Sequence, residues 1–421
     1  MAGKSTASVR YQITIIGILF FLFGFITWAN SSLIPYLKLA CQLTYTQSLY
    51  VASAFFAAYF IMAIPSSYIL KLTGFKKGMS VGLFTMGIGA LLFLPAAQSR
   101  NYNMFLFGLF VIGSGLALLQ TAANPYVTVL GPIESAAQRI SIMGICNKIA
   151  GICAVYVLGS ITLNNADEIK AKIATLSEAD KITELNALAH RVIQPYTIIA
   201  IVLFTLGILI FFTKMPEVHE EEVNMDDAHF SGKTNIFQFP HLLLGALAIF
   251  FYVGVEVISY DTFALFGEHL GYKLEVSKNF ATYTGYALLA GYLFNIIAIP
   301  KFITQQKMLL GMTFLSMILV LLSVITKGHT AVFCFMLLGF SNAVMWPAIW
   351  PLAIEGLGRF TKIGSALLIM GIVGGAILPP LYGRLSELID NKQTAYLIMI
   401  PAYLYILYYA LAGHNAGKAE Q

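Results

Sequence analysis

Residues 119–131 read LQTAANPYVTVLG. They close an apolar run that begins near Met104, so Gln120 and Asn124 lie inside a segment long enough to cross a bilayer. Four residues apart, their side chains stack on one helical face. A primary amide in hydrocarbon is costly unless it meets a partner or water. Pro125 follows at once, lacking a backbone N–H and freeing a carbonyl of the preceding turn. Two amides and freed carbonyls at membrane depth suit a polar solute with many hydroxyls. They equally suit a kinked helix whose amides tie it to a neighbour, and the pair alone does not choose.

The rest of the chain supplies the setting. Of its 421 residues 58% are hydrophobic and only 11% charged, and the mean hydropathy is +0.78. A water-soluble domain carries about 25% charged residues. The reading is an all-α polytopic membrane protein. Hydropathy gives twelve spans: Tyr11–Leu37, Thr46–Leu70, Met79–Ala97, Met104–Leu130, Arg139–Leu163, Val192–Lys214, Pro240–Phe266, Phe280–Pro300, Lys307–Thr326, Thr330–Ile354, Thr361–Leu381 and Thr394–Ala412. The basic N-terminal segment MAGKSTASVRYQ precedes a run too long for a signal peptide, so the first span is read as retained.

An even number of spans places both termini on one side. Lys71, Lys76, Lys77, Arg139, Lys301, Lys307 and Arg359 fall on that side, which is the richer in basic residues and is therefore expected to be cytoplasmic. The loop 164–191 is polar and is expected to form a surface helix on the opposite side. Residues 215–239, acidic through Glu217, Glu220, Glu221, Glu222, Asp226 and Asp227, read as a cytoplasmic linker between halves 1–214 and 240–421. The run His219–Glu222 lacks the second His of a zinc motif and is read as solvated charge. Four cysteines show no metal or disulfide spacing. The net charge of +5 is too small to point to nucleic acid.

The halves echo one another. Ile142-Met143-Gly144-Ile145 recurs as Ile369-Met370-Gly371-Ile372, an offset of 372 − 145 = 227, and Pro125 and Pro347 sit alike in spans four and ten. Together with six spans on each side of the linker, this reads as internal duplication.

Polar residues at membrane depth are the informative ones. Asn30 lies near the end of span one, before Pro35. In span five Asn147 precedes Lys148, which lies roughly 13 Å along the helix from Arg139, near the midplane. So deep an ammonium needs an acid, carbonyls or water. Span seven offers Glu256, the natural partner for Lys148 or a group to bind a proton or sodium. Asp261 is nearer the interface, where a wetted carboxylate is the plainer reading. In span ten Asn342, Trp346 and Trp350 are spaced by four, so an aromatic face could stack on a pyranose while amides take its hydroxyls. An interfacial belt is the alternative, and it fits Trp350 better than Trp346. Lys71, Lys76 and Lys77 are expected to meet helix C-terminal ends. No nucleotide-binding loop, nucleophile–base pair or metal cluster is present in the sequence. The chain reads as a secondary transporter rather than an enzyme.

Four stretches carry a resemblance: FFLFGFITWANSSLIPYL, AYFIMAIPS, LQTAANPYVTVLGP and NAVMWPAIWPLAIEGLG. The sequence resembles the fucose–galactose–glucose branch of the major facilitator superfamily over nearly all twelve spans. The resemblance implies two pseudo-symmetric six-helix bundles rocking about a central sugar site, with hexose import across a bacterial inner membrane. The fucose symporter pattern has acids where this chain has Ser31 and Gln120, so neither position titrates here. The Gln is similar to the glucose members. The expected sugar site is Asn30, Gln120, Asn124, Asn147, Asn342 and Trp346. Lys148, Glu256 and Asp261 are the candidates for ion coupling or buried charge. The expected partners are a hexose and the lipid bilayer, with co-transported sodium or proton, no other cofactor, and a monomeric chain. A facilitative uniporter and a drug exporter remain the alternatives.

Overall fold

A computed structural model describes residues 6–129, 136–213, 235–299, 301–357 and 360–417. The acidic run of the linker and the side chain of Asn124 lie outside the described residues. Among the described residues twelve helical stretches are long and apolar enough to cross a membrane. The first half comprises α1 (Thr6–Trp28), α2 (Asn30–Ala40), α3 (Tyr45–Leu91), α4 (Phe93–Gln98), α5 (Tyr102–Val129), α6 (Ala136–Thr162), α7 (Ala166–Ile173), α8 (Glu178–His190) and α9 (Ile193–Phe212). The second comprises α10 (Pro240–Asp261), α11 (Phe263–His269), α12 (Leu274–Ser277), α13 (Phe280–Ala298), α14 (Gln305–Ile325), α15 (Gly328–Asn342), α16 (Met345–Ile354), α17 (Thr361–Met370), α18 (Gly374–Leu388) and α19 (Met399–Leu411). α3 contains spans two and three, which part at Gly74, where φ is 73°.

Packing repeats between the halves. α1 lies on α6 as α10 lies on α18, and α3 on α5 as α13 on α15. Span three packs on α9 through Gly87–Phe204 and Phe84–Gly207 contacts, as α14 packs on α19. The halves meet through α3 with α18 and α6 with α13, again an equivalent pair. Duplication read from a four-residue echo is thus expressed as one packing scheme used twice.

Close approach is achieved by missing side chains. A Cβ on Gly24 would lie 1.9 Å from the carbonyl oxygen of Asn147, and one on Gly374 would lie 1.8 Å from that of Phe250. These are the α1–α6 and α10–α18 contacts, where lipid-embedded helices gain van der Waals contact that bulkier residues would forbid. Gly371 joins this contact, while Gly375 packs between Phe56 of the other half and Val257.

Prolines create the other irregularities. Pro380 cannot donate to the Ala376 carbonyl, and Ser53 of the opposite half donates to it at 2.7 Å. Pro351 likewise frees the carbonyl of Pro347, which Gln305 Nε2 reaches at 3.1 Å while also meeting Ala348 at 2.7 Å. The expected surface helix over 164–191 is two helices, α7 and α8. Ser177 breaks it by accepting from the Asp180 N–H and so capping α8. Lys76 meets a helix end as expected: its Nζ donates to the Thr213 carbonyl at the C-terminus of α9, at 3.1 Å.

Candidate functional site at the interface of the two halves

The polar contacts between the halves gather from mid-span to the loops opposite the chain ends. At those loops Lys38 and Lys170 both pair with Glu268. Asp167 accepts from the backbone N–H groups of Leu274 and Glu275, at 3.0 and 2.8 Å. The Thr46 N–H donates to Glu387 at 2.9 Å, and the Tyr45 hydroxyl donates to that of Tyr382 at 3.1 Å. The two bundles are therefore closed against each other on this side.

At mid-depth the same interface holds charge. Lys148 Nζ donates to Glu256 Oε1 at 3.1 Å, and both side chains are about nine-tenths buried. The ammonium also sits 4.3 Å from the Trp28 ring and 5.9 Å from that of Tyr292, so two aromatic faces of opposite halves share it. Trp28 is the keystone of this layer. Its ring contacts Tyr260 at 4.2 Å between centroids, and its Nε1 donates to Asn147 Oδ1 at 3.4 Å. The indole lies over Gly151, where a Cβ would come within 2.5 Å of it.

Asp261 is 1% exposed, so the reading as a wetted interface carboxylate is overturned. Its Oδ1 accepts from Ser31 Oγ at 2.5 Å, across the halves. The packing of α2 on α10 carries Ser31 there. The position where the resemblance would place an acid therefore touches an acid contributed by the other half.

The expected sugar-site residues fall into two groups. Gln120, Asn147 and Trp346 are half-buried and retain exposed surface. Gln120 Nε2 donates to the Tyr59 hydroxyl at 3.0 Å, and Asn147 Nδ2 donates to the Phe20 carbonyl at 3.4 Å. Trp346 stacks on Trp350 at 5.3 Å and faces Tyr252 at 6.4 Å. Asn30 and Asn342 are buried. Asn30 has no hydrogen-bond partner for either amide atom among the described residues. Asn342 instead joins three helices: its Oδ1 accepts from Tyr403 at 2.9 Å and from Ser316 at 3.4 Å, and its Nδ2 donates to Ser259 at 3.4 Å. Sequence reasoning missed Tyr59, Tyr292, Tyr403 and the Ser31 contact. Tyr59 was within reach, since it lies in the quoted AYFIMAIPS stretch.

This arrangement, two repeated bundles with amides, aromatics and a charged pair where they meet, matches known proteins along its length. Residues 16–379 match the Major Facilitator Superfamily. The chain is 37% identical over 422 residues to a glucose/galactose transporter of Brucella abortus, covering 98% of this chain and 96% of the relative. It is 32% identical over 399 residues to the L-fucose-proton symporter of Escherichia coli, covering 93% and 90%. It also superimposes on the crystal structure of a major facilitator transporter, FucP, in the outward conformation, with a TM-score of 0.73 at 30% identity, covering 96% and 98%. Shared packing and full-length identity together place this chain in the Major Facilitator Superfamily.

Proposed function

We propose that the chain imports a hexose, glucose or galactose, across the bacterial cytoplasmic membrane by alternating access. It is a transporter and not an enzyme, as its family and relatives are. The observation that carries the sugar assignment is the 37% identity, along almost the whole chain, to a protein named as a glucose/galactose transporter. The half-buried Gln120, Asn147 and Trp346, with the unpartnered Asn30 amide, supply the donors, acceptors and aromatic face that a pyranose uses. The sugar contacts both bundles, so its binding lowers the free energy of the state in which both close around it. Coupling runs through the interfacial charges Lys148, Glu256 and Asp261, with a proton or sodium as the driving ion and no other cofactor. In this reading both termini are cytoplasmic and a single chain is the working unit.

Radiolabelled glucose uptake into proteoliposomes tests the assignment, with galactose as competitor. Gln120→Ala removes an amide that the sugar meets, costing about 1–3 kcal/mol, or roughly ten- to hundredfold in apparent affinity. An unchanged affinity in that variant removes Gln120 from the site. Failure of glucose, galactose, mannose and fucose all to move removes the hexose reading.

A further inference from the structure

The two acids of α10 stand in different surroundings, and the difference assigns them different tasks. Glu256 has an ammonium at 3.1 Å, so its negative charge is compensated inside the interface. Asp261 has the Ser31 hydroxyl at 2.5 Å, and among the described residues no Lys, Arg or His lies within ion-pair distance of it. We infer that Asp261 is the group that carries the coupled proton, and that the two halves close at the loops opposite the termini only on its neutral form. This deepens the symport reading and rests on it.

The surroundings support the assignment. Glu256 of the same helix is the titratable neighbour whose charge acts on Asp261, and the charge of Asp261 in turn acts on Tyr260. Glu256 adds negative potential to a site that holds no positive partner. On the elements packed against α10, Lys38 of α2 faces Glu268, which lies on α11 beside His269, and Glu387 of α18 holds the Thr46 N–H. Tyr382 and Arg384 lie on the same helix as Glu387, Tyr292 on α13 and Tyr403 on α19, and Tyr396 hydrogen-bonds Thr262 at 2.7 Å. Lys148, the cation at mid-depth in the interface, is already engaged with Glu256. An uncompensated carboxylate is costly in such an interior, and the protein removes the cost by neutralising it. A proton does this with one oxygen. A metal cation requires several converging oxygens, and the one described hydrogen-bond partner of Asp261 is a single hydroxyl.

The geometry also gives the direction of coupling. Ser31 lies in the first half and Asp261 in the second, so the contact forms when the halves meet and breaks when they part. When they part, the carboxyl meets water from the loop side and ionises freely. Closing again requires the carboxylate to take up one proton from that side, giving a neutral acid with Ser31 donating to Oδ1 and the proton held on Oδ2. The proton leaves to the terminal side once water reaches Asp261 from there, regenerating the carboxylate. One proton is carried inward per cycle.

The test uses the full chain in proteoliposomes, with three readouts: glucose counterflow, accumulation driven by an inward proton gradient, and the external alkalinisation that follows sugar addition. Asp261→Asn mimics the neutral acid. It is expected to keep counterflow within a few-fold, to lose accumulation down to simple equilibration, and to abolish alkalinisation. Counterflow by the unsubstituted protein should slow as pH rises, and counterflow by Asp261→Asn should be independent of pH. A merely structural residue would lower all rates together and leave the pH profile in place. Proton-driven accumulation that survives in Asp261→Asn overturns the inference. So does accumulation by the unsubstituted protein under a sodium gradient at clamped pH, or equilibration without accumulation under either gradient. If the unsubstituted protein shows no counterflow with any hexose, it is the transport reading itself that fails.

Discussion

Replacing Lys148 by Met should open the interface between the halves, and restoring neutrality by a second substitution should close it again. Lys148 Nζ and Glu256 Oε1 are 3.1 Å apart, with 8% and 9% of the side chains exposed. At an effective dielectric of about 20 the direct attraction is about 5 kcal/mol. Desolvation of both groups offsets much of that gain, but removing one partner leaves a buried charge and costs about 3–5 kcal/mol. The pair joins α6 to α10, so the cost falls on the closed arrangement, while parted halves hydrate the remaining carboxylate. The closed population should therefore fall by roughly two to nearly four orders of magnitude relative to the open one. Leu49 is a suitable reporter: it is fully buried against Gly383 of the other half. A Leu49→Cys substitution in a background free of the four native cysteines should react with a maleimide far faster when Lys148→Met is added. Lys148→Met with Glu256→Leu should bring the rate back to within about tenfold of the starting value, because an apolar pair replaces a buried ion pair at little net cost. A Lys148→Met rate within threefold of the reference would refute the argument. So would a double variant as reactive as the single one.

Two further outcomes follow from packing. Asn342→Ala leaves the Tyr403 hydroxyl without its acceptor and Ser259 without its donor, so it should lower stability by about 2–3 kcal/mol. A depressed thermal midpoint in detergent checks this, and an unchanged midpoint with weakened sugar affinity would make Asn342 a sugar contact instead. Gly374→Ala would place a methyl group 1.8 Å from the Phe250 carbonyl oxygen, so α10 and α18 must separate. The yield of monodisperse protein from membranes should fall sharply, whereas Gly311→Ala, where a Cβ meets nothing within 4 Å, should leave it unchanged.

The composition and the spacing of apolar runs determined the class of this protein, its span count and its division into halves. Hydrocarbon admits few chain conformations, so roughly twenty apolar residues in a row have one outcome. The same reasoning made Lys148 need an acid, carbonyls or water, because an isolated ammonium at that depth is too costly to leave alone. Glu256 followed as the candidate from depth alone. The loop 164–191 was legible as helical, but its division at Ser177 depended on a single cap. Tertiary structure decided everything that depended on which surfaces meet. Asp261 read as wetted because its position along a helix says how deep it lies and not what covers it. It is buried because α2 of the other half lies upon it, and Ser31 reaches it from that helix. Asn342 read as a sugar contact from its spacing with Trp346, and the fold adds hydrogen bonds between its amide and Ser259, Ser316 and Tyr403, far apart in sequence. A sequence reports the demand of each buried polar group, while its supplier is fixed only by the packing of remote helices.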